Sequence, residues 1–298
     1  MKPVYLREVI NNAKESTISL LLMIKDKEVY KDNIIYTLCD ITGEIEFNDK
    51  SSSIHNLSVG NVVKACILNN KISKISLEDG AYDLRDFMCY VKRDINDIME
   101  ELEEITTNQF QDEEVKALNK YFFEDSNFIE KFTKGIGGLQ HHTYIGGLAE
   151  HTLNVTHFAN EFANRYNCRY KEIAVLAAKL HDIGKIHEYS LNGSFKSTVR
   201  GEMEGHIVIG VTMIEEAFNS NSVIYSEDFK NRIKGCIVQH HGKVKYGSPK
   251  PPNTEEAFIV HYADYVDATM NKVSKVKDMT KLDCWSEYDK KIETKLFV

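Results

Sequence analysis

Two patterns of apolar residues divide the chain. Over residues 1–82 the apolar runs are short and rich in β-branched residues: ISLLLMI, NIIYTLCDI, NVVKACIL and KISKISL. Turn residues part them, notably Asp40-Ile41-Thr42-Gly43 and Val59-Gly60-Asn61, and Ser51–Ser53 reads as a loop. About five such runs predict strands that close into a small β-barrel or sandwich. At residue 83 the period changes. Ile95, Ile98, Met99, Leu102 and Ile105 follow a helical spacing with an acidic outer face, and DEEVKALNKYFFED repeats it. From residue 136 the chain reads as helices with short loops. Gly184 lies near the stop of KEIAVLAAKLHDIG. The loop GKVKYGSPKPPNT, which holds three of the four prolines, separates the last two helices. The expected fold is multi-domain, α and β: a β-barrel over 1–82, an acidic helical connector over 83–135 and an all-α helical bundle over 136–298.

Charge alters this picture only in its distribution. The net charge of −8 is concentrated in residues 81–130, which carry 14 acidic and 5 basic side chains, while residues 131–298 carry 20 acidic and 22 basic. The acidity sits in the connector, so a phosphate-bearing partner remains electrostatically acceptable to the helical region. The six cysteines are scattered without CxxC spacing, which predicts reduced thiols and a cytoplasmic location. No run of about 18 uncharged apolar residues is present and the N-terminus has no signal-peptide pattern, so no membrane span is expected.

All but one of the eleven histidines lie after residue 140. His181 and Asp182 are adjacent at the end of the apolar helix AVLAAKLHD. His151 opens one helix, His206 begins another, His240-His241 end a third, and Asp264 lies on the last, in phase with His261 and Asp267. Imidazole and carboxylate together suit divalent Mn, Fe, Co, Ni or Zn, and ligands on successive helices are what a bundle needs to hold a central ion. His55, His157 and His187 read as ordinary helix or surface residues. His141 and His142 lie in a loop and fit either role. Asp267 reads as a solvated helix residue or as a support for a ligand.

The segments HHTYIGGLAEHTLNV, AAKLHDIGK, GHIVIG, QHHGKVKYGSPKPP and EAFIVHYADYVDA together resemble the YhaM-type 3′–5′ exoribonucleases of the HD-domain phosphohydrolase superfamily. YTLCDITGEIEF and NVVKACI resemble strands of the OB-fold that precedes the HD domain in that family. The resemblance implies that His151, His181, Asp182 and Asp264 form the core metal site. His206 and His240 would extend it to a second ion, with Asp182 bridging. Either of His240 and His241 could ligate; His240 is favoured, with His241 beside the substrate. Where an aromatic is expected after the OB strand, Phe47 is the nearest, and the single tryptophan is Trp285.

Two divalent ions, manganese favoured and cobalt, iron, nickel or zinc acceptable, would suit phosphodiester hydrolysis. Lys185, three residues after Asp182, is expected to bind a phosphate oxygen as a point charge. Lys243, Lys245 and Tyr246 form a basic, aromatic loop suited to single-stranded RNA, with Arg200 a weaker candidate and His142 and Tyr144 shaping the pocket. The expected function is a 3′–5′ exoribonuclease that releases nucleoside monophosphates from single-stranded RNA, with single-stranded DNA also acceptable. The alternatives are a hydrolase of small or cyclic nucleotides with a regulatory N-terminal domain, and a non-catalytic nucleic-acid-binding protein. The acidic helix over 94–114 could pack within the chain or against a second copy in a homo-oligomer.

Overall fold

A computed structural model describes residues 5–11, 17–30, 33–49, 56–191, 195–220 and 223–298. The Ser51–Ser53 loop and His55 lie outside them. The chain forms two units, one of Met1–Tyr90 with Ser190–Lys196 and one of Val91–Tyr189 with Ser197–Val298.

In the first unit a short helix α1 (Leu6–Asn11) precedes strands β1 (Ile18–Tyr30), β2 (Asn33–Asp40), β3 (Gly43–Asp49), β4 (Val62–Leu68) and β5 (Lys71–Leu77). They form one antiparallel sheet in the order β3-β2-β1-β4-β5. Turn chemistry sets the register. The Asp40 carboxylate accepts from Thr42 N at 2.7 Å and Gly43 N at 3.2 Å, which folds β2 directly onto β3. Asn69 and Asn70 adopt φ of 48° and 59° and join β4 to β5 in a two-residue hairpin. Register shifts leave Lys25 of β1 and Ser73 of β5 as extra residues, which bend those strands as bulges do. The sheet curls into a half-barrel around Leu22, Ile24, Tyr36, Leu38, Val63 and Ala65, with Leu6 and Val9 of α1 in the same core.

The second unit begins with α2 (Ile95–Gln109), α3 (Glu113–Phe123) and α4 (Ser126–Lys134), capped by Asp94, Asp112 and Asp125, whose carboxylates accept from backbone N–H groups of the first turn. These helices span the stretch that the sequence reading set apart as a connector. Ile98, Leu102, Val115, Leu118, Phe128 and Phe132 belong to the same hydrophobic core as the helices that follow. The acidic faces are simply the solvent side of amphipathic helices. Then come α5 (Gly147–Arg165), α6 (Lys171–Leu180), α7 (Lys185–Glu188), α8 (Val199–Ser220), α9 (Glu227–Gln239) and α10 (Glu255–Met279). Helix α6 is the central one. Every residue from Ile173 to Leu180 is buried, and its last turn delivers His181 and Asp182 into the bundle.

Candidate metal centre

Each ligand-type side chain is aimed by a local device. His151 sits on the buried face of α5, and its Nδ1–H donates to Asp267 Oδ2 at 2.6 Å. His181 Nδ1–H donates to Ala178 O at 2.7 Å, and His240, at the end of α9, donates to Ile237 O at 2.7 Å. Helix α8 is broken at Gly205 (φ 70°, ψ 157°), and His206 follows the kink. Its backbone N–H and its Nδ1–H reach Glu188 Oε1 at 3.0 and 3.1 Å. His241 Nδ1–H donates to Tyr246 O at 3.0 Å. In all five rings the Nδ1 proton is engaged, so Nε2 is the free ligand atom, the arrangement that second-shell partners impose on metal-binding histidines.

Those Nε2 atoms converge on Asp182. His151 and His181 lie 3.3 and 3.2 Å from Asp182 Oδ2, and His151 lies 3.3 Å from Asp264 Oδ1. On the other oxygen, His206 and His240 lie 3.5 and 3.6 Å from Asp182 Oδ1, and His206 Nε2 lies 3.2 Å from His241 Nε2. Donors held at about 2.1 Å by one ion lie roughly 3.0–3.5 Å apart, so these spacings match a shared first shell. Asp182 Oδ1 and His240 Nε2 are buried without a hydrogen-bond partner among the described residues. The Nε2 atoms of His151 and His181 face one another at 3.2 Å, close enough to share one bound cation or a proton. The donor set therefore fits divalent metal.

The electrostatics prepare ligands. Burial opposes ionisation of Asp182, but the charges of His181 and Lys185 and hydrogen bonds from His151 and His181 hold its carboxyl well below the usual range. Asp264 is likewise held low against burial by His151. Burial drives His240 well down, and it pushes His241 to about 4, with His206 adding to the effect. Both are neutral imidazoles at pH 7. His151 goes the other way: burial is outweighed by hydrogen bonds to Asp182, Asp264 and Asp267, which favour its cation.

His151, His181, Asp182, His206, His240 and Asp264 thus come together in one cluster, and two histidines join them. His241 groups with His206 and His240, and His141 groups with His151 and Asp264. Both nitrogens of His141 are buried without partners among the described residues, and burial pushes its imidazole down to about 2, with the His151 charge adding to the effect. Lys185 is buried, with its ammonium on Asp182 Oδ2 and Gly137 O. Lys243, Lys245 and Tyr246 form an exposed turn after His241. Arg200 lies apart, in a surface pair with Glu204 at 3.1 Å.

Three placements add to the sequence reading. His142 is buried at 3% exposure and donates through Nε2–H to Asp267 Oδ2 at 2.8 Å. It braces Asp267, the support of His151. Tyr144 bonds both His142 Nδ1, at 2.6 Å, and Glu150. Of its two sequence readings Asp267 takes that of a buried support, and it also accepts from Asn154 Nδ2 at 2.7 Å. Its position three residues after Asp264, in phase on one helix, was the available signal. Glu188 was missed outright. It lies seven residues, two turns, after His181, but a short loop-bound helix shows no periodicity from which to read it.

A family model described as "HD domain" matches residues 148–269, the segment that carries every histidine and aspartate of this cluster except His141. The chain is similar to curated proteins named 3′-5′ exoribonuclease YhaM. It is 34% identical to that of Bacillus subtilis (strain 168) over 157 residues, 53% of this chain and 49% of that protein. It is 30% identical to that of Geobacillus sp. (strain WCH70) over 230 residues, 76% of this chain and 69% of that protein. The match thus spans about half the length of the Bacillus subtilis relative and more than two thirds of the Geobacillus one. No solved structure matches. No helix among the described residues is long and apolar enough to cross a membrane. With the matched HD domain, the metal-type cluster and relatives of this similarity, the chain belongs to the YhaM family of HD-domain proteins.

Proposed function

We propose that the helical unit is a metal-dependent phosphodiesterase that removes nucleotides from the 3′ ends of single-stranded RNA and releases nucleoside monophosphates. The observation that carries this reading is Asp182, whose two carboxylate oxygens face two separate sets of imidazoles. That arrangement suits a pair of divalent ions, manganese favoured. When bound, such ions supply charge neutralisation at phosphorus and let water act as nucleophile near neutral pH. The similar proteins' name supplies polarity and substrate.

The chain's own groups do the rest. Lys185 offsets the Asp182 charge and directs its ammonium to the mouth of the cluster beside Gly137, where a non-bridging phosphate oxygen would complete its hydrogen bonds. Glu188 fixes the ring plane of His206, and Asp267 fixes that of His151. Lys243, Lys245 and Tyr246, beyond His241, supply positive charge and a π-face for the strand. The six free cysteines suit a reducing cytoplasm.

The test is product analysis with 5′-labelled RNA and Mn²⁺. Stepwise shortening with release of monophosphates is expected of the native chain, and Asp182→Ala should abolish it while the far-UV spectrum is kept. Shortening that persists in the variant would remove the site from the reaction. Rapid turnover of cyclic dinucleotides with RNA left intact would replace the reading with that of a small-nucleotide hydrolase.

A further inference from the structure

Helix α10 has a second face that the metal cluster does not use. Phe258, Tyr262 and Tyr265 stand at i, i+4 and i+7, so they share one stripe, and they are 45%, 54% and 54% exposed. The opposite side of the helix is buried through Ala257, Val260, Ala263 and Ala268. Single exposed aromatics are ordinary, but three in phase over about 10 Å of one helix form a continuous surface. The Phe258 and Tyr262 rings lie 6.4 Å apart with planes 21° from parallel.

This stripe is tied to the metal centre. The His261 ring lies 5.1 Å from that of Tyr262 and 6.3 Å from that of Tyr265, and its Nδ1–H donates to His240 O at 2.8 Å. Gly242 (φ 80°) packs so closely on His261 that a Cβ there would fall 2.1 Å from the ring. The turn beyond Gly242 holds Tyr246, 50% exposed, with Lys245 and Lys243 at 4.8 and 5.8 Å from its ring centroid. Neither lysine makes an ion pair among the described residues. Aromatic faces and unpaired cations therefore border the His240–His241 side of the centre together. Aromatics give stacking that tolerates any base, and lysines give phosphate attraction, which is the chemistry of a single-stranded nucleic-acid track.

We propose that Phe258, Tyr262 and Tyr265 are a base-stacking platform for the nucleotides upstream of the RNA 3′ end, with Lys243 and Lys245 holding the backbone. The proposal rests on the nuclease reading above and names where that substrate lies. Its occupant is single-stranded RNA, because the free lysines match phosphate and the rings lie beside the residues that would receive the terminal phosphodiester.

The experiment is fluorescence anisotropy on the full chain with 5′-fluorescein oligo(A) RNA of 12 and of 3 nucleotides, in chelator so that the RNA stays intact. The native chain should bind the 12-mer at least tenfold more tightly than the 3-mer. Phe258→Leu, Tyr262→Leu and Tyr265→Leu combined should weaken the 12-mer on the order of 100-fold, given the usual worth of a stacked base. Tyr262→Phe with Tyr265→Phe should restore binding, since the ring and not the hydroxyl is used. Lys243→Gln with Lys245→Gln should reduce the slope of log affinity against log salt by about 1.4. Affinity of the triple variant for the 12-mer within twofold of native would overturn the proposal. So would a change of sedimentation coefficient with RNA affinity unaltered, which would make the stripe an interface between copies of the chain. If the native chain shows the length dependence but never shortens RNA in Mn²⁺, the nuclease reading fails and the platform stands.

Discussion

In one half of the centre, His151 and His181 are wholly buried, two carboxylates face them, and the support of His151 is a second buried carboxylate, Asp267, itself held by His142 and Asn154. In the other half, His206 and His240 meet a single carboxylate oxygen of Asp182, and His241 lies against His206. His206 follows a kink, His241 is only half-buried, and its support is the carbonyl of an exposed turn. The first half is anionic and built on helix interiors. The second adds to Asp182 only the carboxylate of Glu188, behind His206, and is built on helix ends. On the two-ion reading proposed above, the half with more carboxylates would be the firm binder and the half on helix ends the exchangeable one.

This contrast can be broken or sharpened. The largest effect belongs to Asp182, the one ligand both halves share: Asp182→Ala should empty both and bring RNA shortening to background, checked by plasma mass spectrometry of the metal and by the labelled-RNA assay. Next, Asp264→Asn and His241→Asn should separate the halves. The former should lose the tightly held ion, whereas the latter should keep it and lose only the ion that dialysis removes easily. Equal loss of both ions in both variants would end the distinction. A smaller effect is expected at Asp267→Asn, on the order of 10–100-fold weaker metal affinity, confined to the tight class in calorimetric titration.

The smallest is a control for buried charge as such. Lys179, one turn before Asp182 on α6, is buried with its ammonium 3.1 Å from Thr106 Oγ1 and 4.0 Å from the Phe123 ring centroid. Burial pushes it down to about 8. The unfolded chain then binds the extra proton between about pH 8 and the ordinary lysine value near 10.4, so stability rises with pH across that window. Lys179→Met should abolish that rise in thermal melts and raise Tm by about 2–4 °C at pH 7, with metal content unchanged.

Much of this was legible in the residues. Strand runs and turn signals gave the half-barrel, because Asp40–Gly43 dictates its own geometry. The HD pair and the histidines in order gave the residues that cluster, because helix ends are visible in a 3.6 period. What stayed hidden depended on tertiary packing. Whether His142 faces solvent or Asp267, and whether α2 joins a core or spans a gap, is decided by neighbours more than 100 residues away or by helices yet unplaced. His241 was split from His240 as ligand against substrate contact, a choice that adjacent residues on a turn do not encode.

Gly184 touches no metal-type atom, yet a Cβ there would lie 2.1 Å from His206 O and 2.7 Å from Gly210 N. The backbone of α8 leans directly on this position. The smallest possible side chain would have to pry the two segments apart and carry His206 with it. An unbiased hunt for loss-of-function alleles should therefore return Gly184→Ala beside the ligand changes, and the protein's tolerance map would show a silent scaffold residue as intolerant as the chemistry it braces.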